Sequence, residues 1–476
     1  MLKNIFRTKT IESANEANAK GTLIRSLTYF DLIMLGIGAI IGTGIFVITG
    51  IAAAKYSGPA ISLSFAIAGI TCMFVAFAYA EIATMISNSG SVYTYSYVAL
   101  GEIIAWITGW VMILEFTVSA ASVASGWSGY TLGLLKSAGI LLPSYLTKVP
   151  SEGGVINICA SLISLLTTAL LVKGTKESIT LNTILVFIKL IVIFIFLIVA
   201  FPHFDFKNLG SNIQEFMPNS FSGITAGAAA VFLAFIGFDS IATATEECKN
   251  PERDITIGII GSLLICTILY MLVSGMLVGI THDYHSLDNN APIVNALKFH
   301  GKHFFSGIIA LGAIAAMTSV LILNIYGQSR VLFVMARDGL LPQQFLKIHS
   351  KFHTPYLSTI YIGVSIALLS GLVPIHILAG IGSMGALIVF AVACFIVLIL
   401  RIKAPNAKRP FKCPAVFITA PIAIICTLYL FIQLFFTPNF HISTHGVIFL
   451  SWIGISLLTY FLYAYKASNM NKITKT

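Results

Sequence analysis

Charge is what this sequence has least of. Asp, Glu, Lys and Arg make up only 10% of its 476 residues, while 57% are hydrophobic. So few charges cannot clothe a soluble globule of this length, and the composition points to a polytopic membrane protein. The seven cysteines are scattered, mostly inside apolar runs, with no CxxC pair and no Cys/His cluster. That spacing argues against a disulfide framework and against a zinc site. No HExxH, GxSxG or acid-dyad motif of a hydrolase is present, and no GxxxxGK[ST] loop of a nucleotide-driven pump. Neither a catalytic residue nor a cofactor or metal is expected. Met1 to Gly21 lacks the apolar core and cleavage site of a signal peptide, so the first span is expected to stay. The net charge of +10 does not imply nucleic acid, because the basic residues sit in loops and tails between apolar runs.

About twelve apolar runs are long enough to cross a bilayer. Their limits fall near 28–54, 59–86, 97–133, 155–173, 179–201, 221–246, 255–280, 304–336, 356–374, 376–400, 415–436 and 445–465. With the N-terminus in the cytoplasm, Lys and Arg divide roughly three to one in favour of the inside. Arg7, Lys9, Lys173, Arg253, Arg337, Arg401 and Arg409 fall there, whereas Lys55, Lys136 and Lys298 are among the few outside. Both termini are therefore expected in the cytoplasm.

The first run carries Gly36, Gly38, Gly42 and Gly44 within nine positions. Each glycine costs a helix interior up to about 1 kcal/mol, so the cluster is a poor way to build an unbroken span. Unwound backbone inside a membrane is tolerated where protein or a watery cavity satisfies it. A break at Gly42-Thr43-Gly44 would present free N–H groups at the start of a half-helix, a site for a carboxylate. Close helix packing on the glycines is the other reading. The sixth run then repeats the oddity, with Gly237 beside Asp239 in Phe232-Leu-Ala-Phe-Ile-Gly-Phe-Asp-Ser240. Interrupted spans at corresponding places in two halves mark the midplane site of an inverted-repeat transporter, and this tips the balance toward a break.

Few ionisable residues lie deep in the runs. Glu115 is midway along the third and Lys189 near the centre of the fifth. From there, either interface is roughly 15 Å away, beyond the reach of a lysine stem. Lys189 must face protein or water, as a fixed structural cation or as a group that titrates. Glu115 has the alternative of a satisfied, protonated core carboxyl. Glu81, Glu246, Glu247 and Arg330 fall nearer the cytoplasmic ends, where gating or structural ion pairs are expected. His282, His285, His300, His303, His441 and His445 read as solvated residues of outside loops.

Several motifs together carry a resemblance. Asp31 to Phe46 resembles the signature of the amino acid–polyamine–organocation transporters. Tyr79-Ala-Glu81 with Ser89-Gly-Ser-Val-Tyr-Thr-Tyr95 agrees, as do Gly237-Phe-Asp239, Glu246-Glu-Cys-Lys-Asn-Pro251 and Tyr326-Gly-Gln-Ser-Arg330 running into Met335-Ala-Arg-Asp-Gly-Leu-Leu-Pro342. The chain looks like a bacterial relative of the cationic amino acid transporter branch. The resemblance implies an all-α LeuT-type fold of five plus five inverted helices, broken in helices 1 and 6, with two more at the C-terminus. It implies a cytoplasmic tail at 1–27, repeats at 28–202 and 221–401 joined outside by 203–220, and helices 11 and 12 plus a tail at 402–476. Amides around Ile40, Ile41, Gly42, Thr43 and Gly44 would take a substrate carboxylate, and carbonyls around Phe235, Ile236 and Gly237 its α-ammonium. Glu115 and Asp239 match acidic positions lining the pocket, and Lys189 matches the lysine that replaces a sodium ion in proton-coupled members. The animal cationic carriers have about fourteen spans against about twelve here, so substrate choice is not copied from them.

The expected function is secondary import of L-amino acids across the cytoplasmic (inner) membrane, by proton-coupled alternating access. An exchanger, or a nutrient sensor without net flux, is the alternative. The expected partners are an L-amino acid, the proton and the lipid bilayer, with no nucleic acid. Cationic, neutral or mixed substrates, and any accessory subunit, are left open by the sequence.

Overall fold

A computed structural model describes residues 5–14, 27–86, 88, 90–245, 248–289, 291–350, 352, 354–437 and 441–468, the side chains of 175–180 and 243 excepted. Among the described residues the regular structure is helical, and pairing of the strand type is limited to two isolated bridges, Leu27 with Cys248 and Phe436 with Ile442. The principal helices are α1 (Tyr29–Ile40), α2 (Ile61–Met85), α3 (Ser91–Ala99), α4 (Glu102–Ser137), α5 (Ile158–Lys173), α6 (Thr175–Ala200) and α7 (Ser220–Val231). They continue with α8 (Pro251–Gly279), α9 (Pro292–Phe299), α10 (His303–Arg337), α11 (Tyr356–Leu372), α12 (Ile375–Lys403), α13 (Val416–Phe435) and α14 (Thr444–Thr459).

Local chemistry sets several of these boundaries. Thr28 and Asp31 form a reciprocal capping box at the start of α1. Asn157 caps α5 through Ala160 N, and Ser443 caps α14 through Gly446 N. Pro251 and Pro292 open α8 and α9, where a missing N–H costs nothing.

Among the described residues nine helical stretches are long and apolar enough to cross a membrane, and α1, α5 and α11 are shorter apolar helices. One of the nine, Gly44–Met85, runs for 42 residues. It is not one straight rod, because Gly58 at φ +59° followed by Pro59 breaks it. Two of the expected runs, 28–54 and 221–246, are helical only in part. The protein is thus an all-helical polytopic membrane protein.

α4 and α10 pack along each other at the centre; α12 lies on α4, α10 on α6, and α8 on α1 and α2. The amphipathy is that of a bundle in lipid. On α6, Ile184, Phe187, Ile191, Phe194 and Ile198 recur at helical spacing on the exposed face. Asn182, Val186, Lys189, Ile193 and Phe196 occupy the buried face. The geometry alone therefore turns Lys189 away from the exterior.

Candidate functional site at two crossed helix breaks

The first break begins where α1 stops. Ile41 leaves helical geometry at ψ 103°, and the chain resumes at Gly44 as one π-helical turn, Gly44–Ile48, with Thr43 at its N-cap. The opening N–H groups of a resumed helix have no acceptor within it. The second break follows α7. A 3-10 turn at Phe232–Phe235 gives way to extended geometry at Ile236 and to Gly237 at φ +126°, before a four-residue helix at Ser240–Thr243. Only glycine holds that backbone without strain.

Glycine also lets the two breaks touch. A Cβ on Gly237 would lie 2.7 Å from the carbonyl carbon of Ala39, and one on Gly44 would run into the backbone of Ala234. The close-packing and unwinding readings of these glycines are thus both realised, at different positions. Tyr270 of α8 lies across the junction, its hydroxyl 2.8 Å from Ile40 O and 2.9 Å from Ala234 O. Phe65 and Phe235 pack on its ring, each at 5.3 Å between centroids.

A cavity of about 20 Å³ opens at this junction, close to the room one water needs. Ile40, Gly42, Thr43, Gly44 and Ile236 line it, as expected from the sequence. Ile41, Phe235, Gly237, Glu115 and Asp239, also singled out by the sequence, do not line it. Other lining residues went unnoticed in the sequence: Ala39, Leu233, Ser119 and Val123 of α4, and Val320 and Asn324 of α10. Ser119 and Val123 follow Glu115 at successive intervals of four, so a helical stripe through Glu115 would have found them.

Several of the residues singled out here carry polar atoms without partners. Thr43 Oγ1, Ser119 Oγ, both carboxyl oxygens of Glu115 and Asp239 Oδ2 are buried without a hydrogen bond among the described residues. Asp239 Oδ1 accepts from Gly237 N at 3.2 Å, which helps hold the second break. Glu115 fits against Gly385 of α12, where a Cβ would come 2.9 Å from its own. Buried polar atoms that find no protein partner are groups that water or a ligand can satisfy.

Lys189 sits on the other side of the first break and is fully buried. Its Nζ donates to Gly38 O at 2.7 Å, Ile41 O at 3.0 Å and Ser319 Oγ at 3.4 Å. Ser319 of α10 donates to Asn182 Oδ1 at 2.6 Å and lies 3.1 Å from Gly38 O. The ammonium therefore joins α1 to α10 across the carbonyls that the break exposes.

The peripheral charges are placed separately. Glu81, 2% exposed, accepts Arg401 through Nε and Nη2, each at 2.8 Å, Arg409 Nε at 3.1 Å and Cys413 N at 2.7 Å. Arg409 also donates to Leu400 O and Ala404 O at the end of α12. The guanidinium of Arg330 lies 3.7 Å over the ring of Tyr326. Glu246 and Glu247 lie outside the described residues. Of the loop histidines, His282, His285, His303 and His441 are exposed, but His300 and His445 are partly buried. The His300 ring stacks on His203 at 4.6 Å and hydrogen-bonds Ile280 O, so the expectation of simple solvation is corrected there.

The sequence model described as amino acid permease matches residues 27–458. The chain is 42% identical to the branched-chain amino acid permease BcaP of Bacillus subtilis (strain 168), over 99% of this chain and 100% of that protein. It is 40% identical to the methylthioribose transporter of the same organism, over 99% and 100%. The vacuolar cationic amino acid transporter 2 of Arabidopsis thaliana is 38% identical over 86% of this chain and 64% of its own length. Crossed helix breaks at a buried cavity agree with these likenesses: the chain belongs to the amino acid permease family of the amino acid–polyamine–organocation superfamily, and it is a transporter and not an enzyme.

Proposed function

We propose that the protein imports L-amino acids across the cytoplasmic membrane by alternating access, driven by protons through Lys189. In this reading there are twelve crossings, with both termini in the cytoplasm. The repeats at 28–202 and 221–401 are inverted relative to each other, and the two C-terminal helices follow them. The amides from Ile40 to Gly44 hold the substrate carboxylate, next to the positive end of the resumed helix. Carbonyls around Phe235 to Gly237 hold its ammonium. Glu115 and Asp239 read a polar or cationic side chain, while Ser119, Val123, Val320 and Asn324 shape the remaining wall.

The single observation that carries the coupling is Lys189 on the carbonyls of Gly38 and Ile41. All three of its hydrogen-bond partners are neutral oxygens, a coordination that a small cation would also suit. With the proton bound, the ammonium holds α1 to α10. When the proton leaves toward the cytoplasm, a neutral amine remains, its charge-assisted bonds to both carbonyls weaken, and α1 is freed to swing inward. A cavity that fits little more than a water corresponds to a closed state, which must widen to admit substrate.

Uptake of labelled L-amino acids into proteoliposomes tests the substrate class, with leucine, alanine, lysine and arginine offered alone and as competitors. The relative named for methylthioribose makes that sugar an informative competitor, because it has neither the carboxylate nor the ammonium. Saturable uptake of at least one amino acid, blocked by others but not by methylthioribose, is expected. Uptake of methylthioribose alone would overturn the substrate assignment.

A further inference from the structure

Of the residues ahead of the first span, 5–14 do not line the cavity, yet they are bound to the end of the bundle that carries Arg401 and Arg409. Helix α4 starts at Glu102, and Gly101 before it has no side chain to cap it. Arg7 O and Ile5 O supply the caps instead, accepting from Glu102 N at 3.0 Å and Ile103 N at 3.1 Å. The tail lies so close over Gly101, at φ +100°, that a Cβ there would come within 2.6 Å of Phe6 O. The side chains repeat the connection. Arg7 meets the Glu102 carboxylate with Nε and Nη2, each at 3.0 Å. The same carboxylate accepts Tyr97 Oη and Ser468 Oγ, each at 2.6 Å, and Tyr460 Oη at 3.0 Å. Two residues on, Lys9 pairs with Asp338 at the end of α10, and Tyr93 of α3 donates to the other Asp338 oxygen at 2.7 Å. Asn88 Nδ2 fixes Ala14 O at 3.0 Å.

We propose that residues 5–14 are a latch that holds the inner ends of α4 and α10 together, and that it must let go before the site opens to the cytoplasm. Glu102 is the positioning residue where the two chain ends meet, Arg7 from one and Ser468 from the other. The two bound helices carry the cavity walls, Ser119 and Val123 on α4 and Val320 and Asn324 on α10, and the latch precedes α1 in the chain. Releasing Arg7 removes both the ion pair and the backbone caps of α4, so the ends separate as a unit. The C-terminal tail then bears on opening through Ser468, which donates to the carboxylate that holds Arg7. The inference rests on the orientation proposed above.

Hydrogen exchange on the purified full-length protein in lipid nanodiscs tests it without substrate or gradient, so it stands or falls apart from the coupling mechanism. The variants are Arg7→Ala with Lys9→Ala, Lys9→Gln alone, and the swap Lys9→Asp with Asp338→Lys. In the double variant, amides of α1 and α3 are expected to exchange at least about tenfold faster, while those of α9 keep the parental rate. The swap is expected to recover most of the protection. If the double variant does not fold, Lys9→Gln supplies the same readout with the Glu102 cluster intact. Parental exchange in α1 in the folded variants, or equal acceleration in α1 and α9, would overturn the latch.

Discussion

Tyr270 offers one hydroxyl proton to two carbonyl oxygens, Ile40 at 2.8 Å and Ala234 at 2.9 Å, one from each broken helix. This tie makes the two breaks a single structural unit, because movement of either changes what the hydroxyl can reach.

Tyr270→Phe keeps the ring between Phe65 and Phe235 and removes the tie. Leaving buried carbonyls unsatisfied costs about 1–3 kcal/mol, and substrate affinity should fall roughly tenfold, about 1.4 kcal/mol. Binding to purified protein by calorimetry checks this. An unchanged Kd would mean that the tie does not shape the substrate site.

Gly42→Val should abolish binding and leave membrane insertion intact. A Cβ at Gly42 would come 2.7 Å from Val320 Cγ2, so a branched side chain fills the cavity wall. Parental affinity in the purified variant would place the carboxylate elsewhere.

Glu115→Gln distinguishes the two roles open to that carboxyl. If Glu115 reads a cationic side chain, lysine or arginine binding should weaken by about 1–3 kcal/mol more than alanine binding. Equal losses would make Glu115 structural or part of the coupling machinery.

Glu81→Gln should act on stability and not on affinity. It takes the counter-charge from Arg409, whose side chain is 3% exposed, and from Arg401 at 22%. Breaking a buried pair costs about 3–5 kcal/mol, so the thermal unfolding midpoint should drop while substrate Kd holds. A Kd shift with no change in midpoint would show that the cluster acts on the site itself.

The sequence made the breaks legible because glycine and an intramembrane aspartate are costly choices whose reasons are local. Lys189 was legible for the same reason, since its distance from both interfaces follows from counting residues along one span. What remained hidden depends on pairs far apart in the chain. Arg409 reaches Glu81 across 328 positions, Tyr270 reaches Ile40 across 230, and Arg7 reaches Glu102 across 95. Nothing in the local pattern around Tyr270 sets it apart from a core aromatic. Glu102 did offer a signal, as an acid at a helix start behind an uncapping glycine, but not the identity of its partners. Glu115 does not line the cavity, which Ser119 and Val123 line one and two turns farther along α4.

Lys189 is proposed as both the tie between α1 and α10 and the proton carrier. Uptake of labelled amino acid into proteoliposomes, with and without an imposed acid-outside gradient and without sodium, tests it most directly in parent and Lys189→Ala. Detergent binding assays run alongside them show whether the variant is folded. Gradient-driven accumulation is expected in the parent without sodium, and a Lys189→Ala protein that keeps its fold but loses the response. Undiminished gradient-driven uptake in Lys189→Ala, or a strict sodium requirement in the parent, would contradict it.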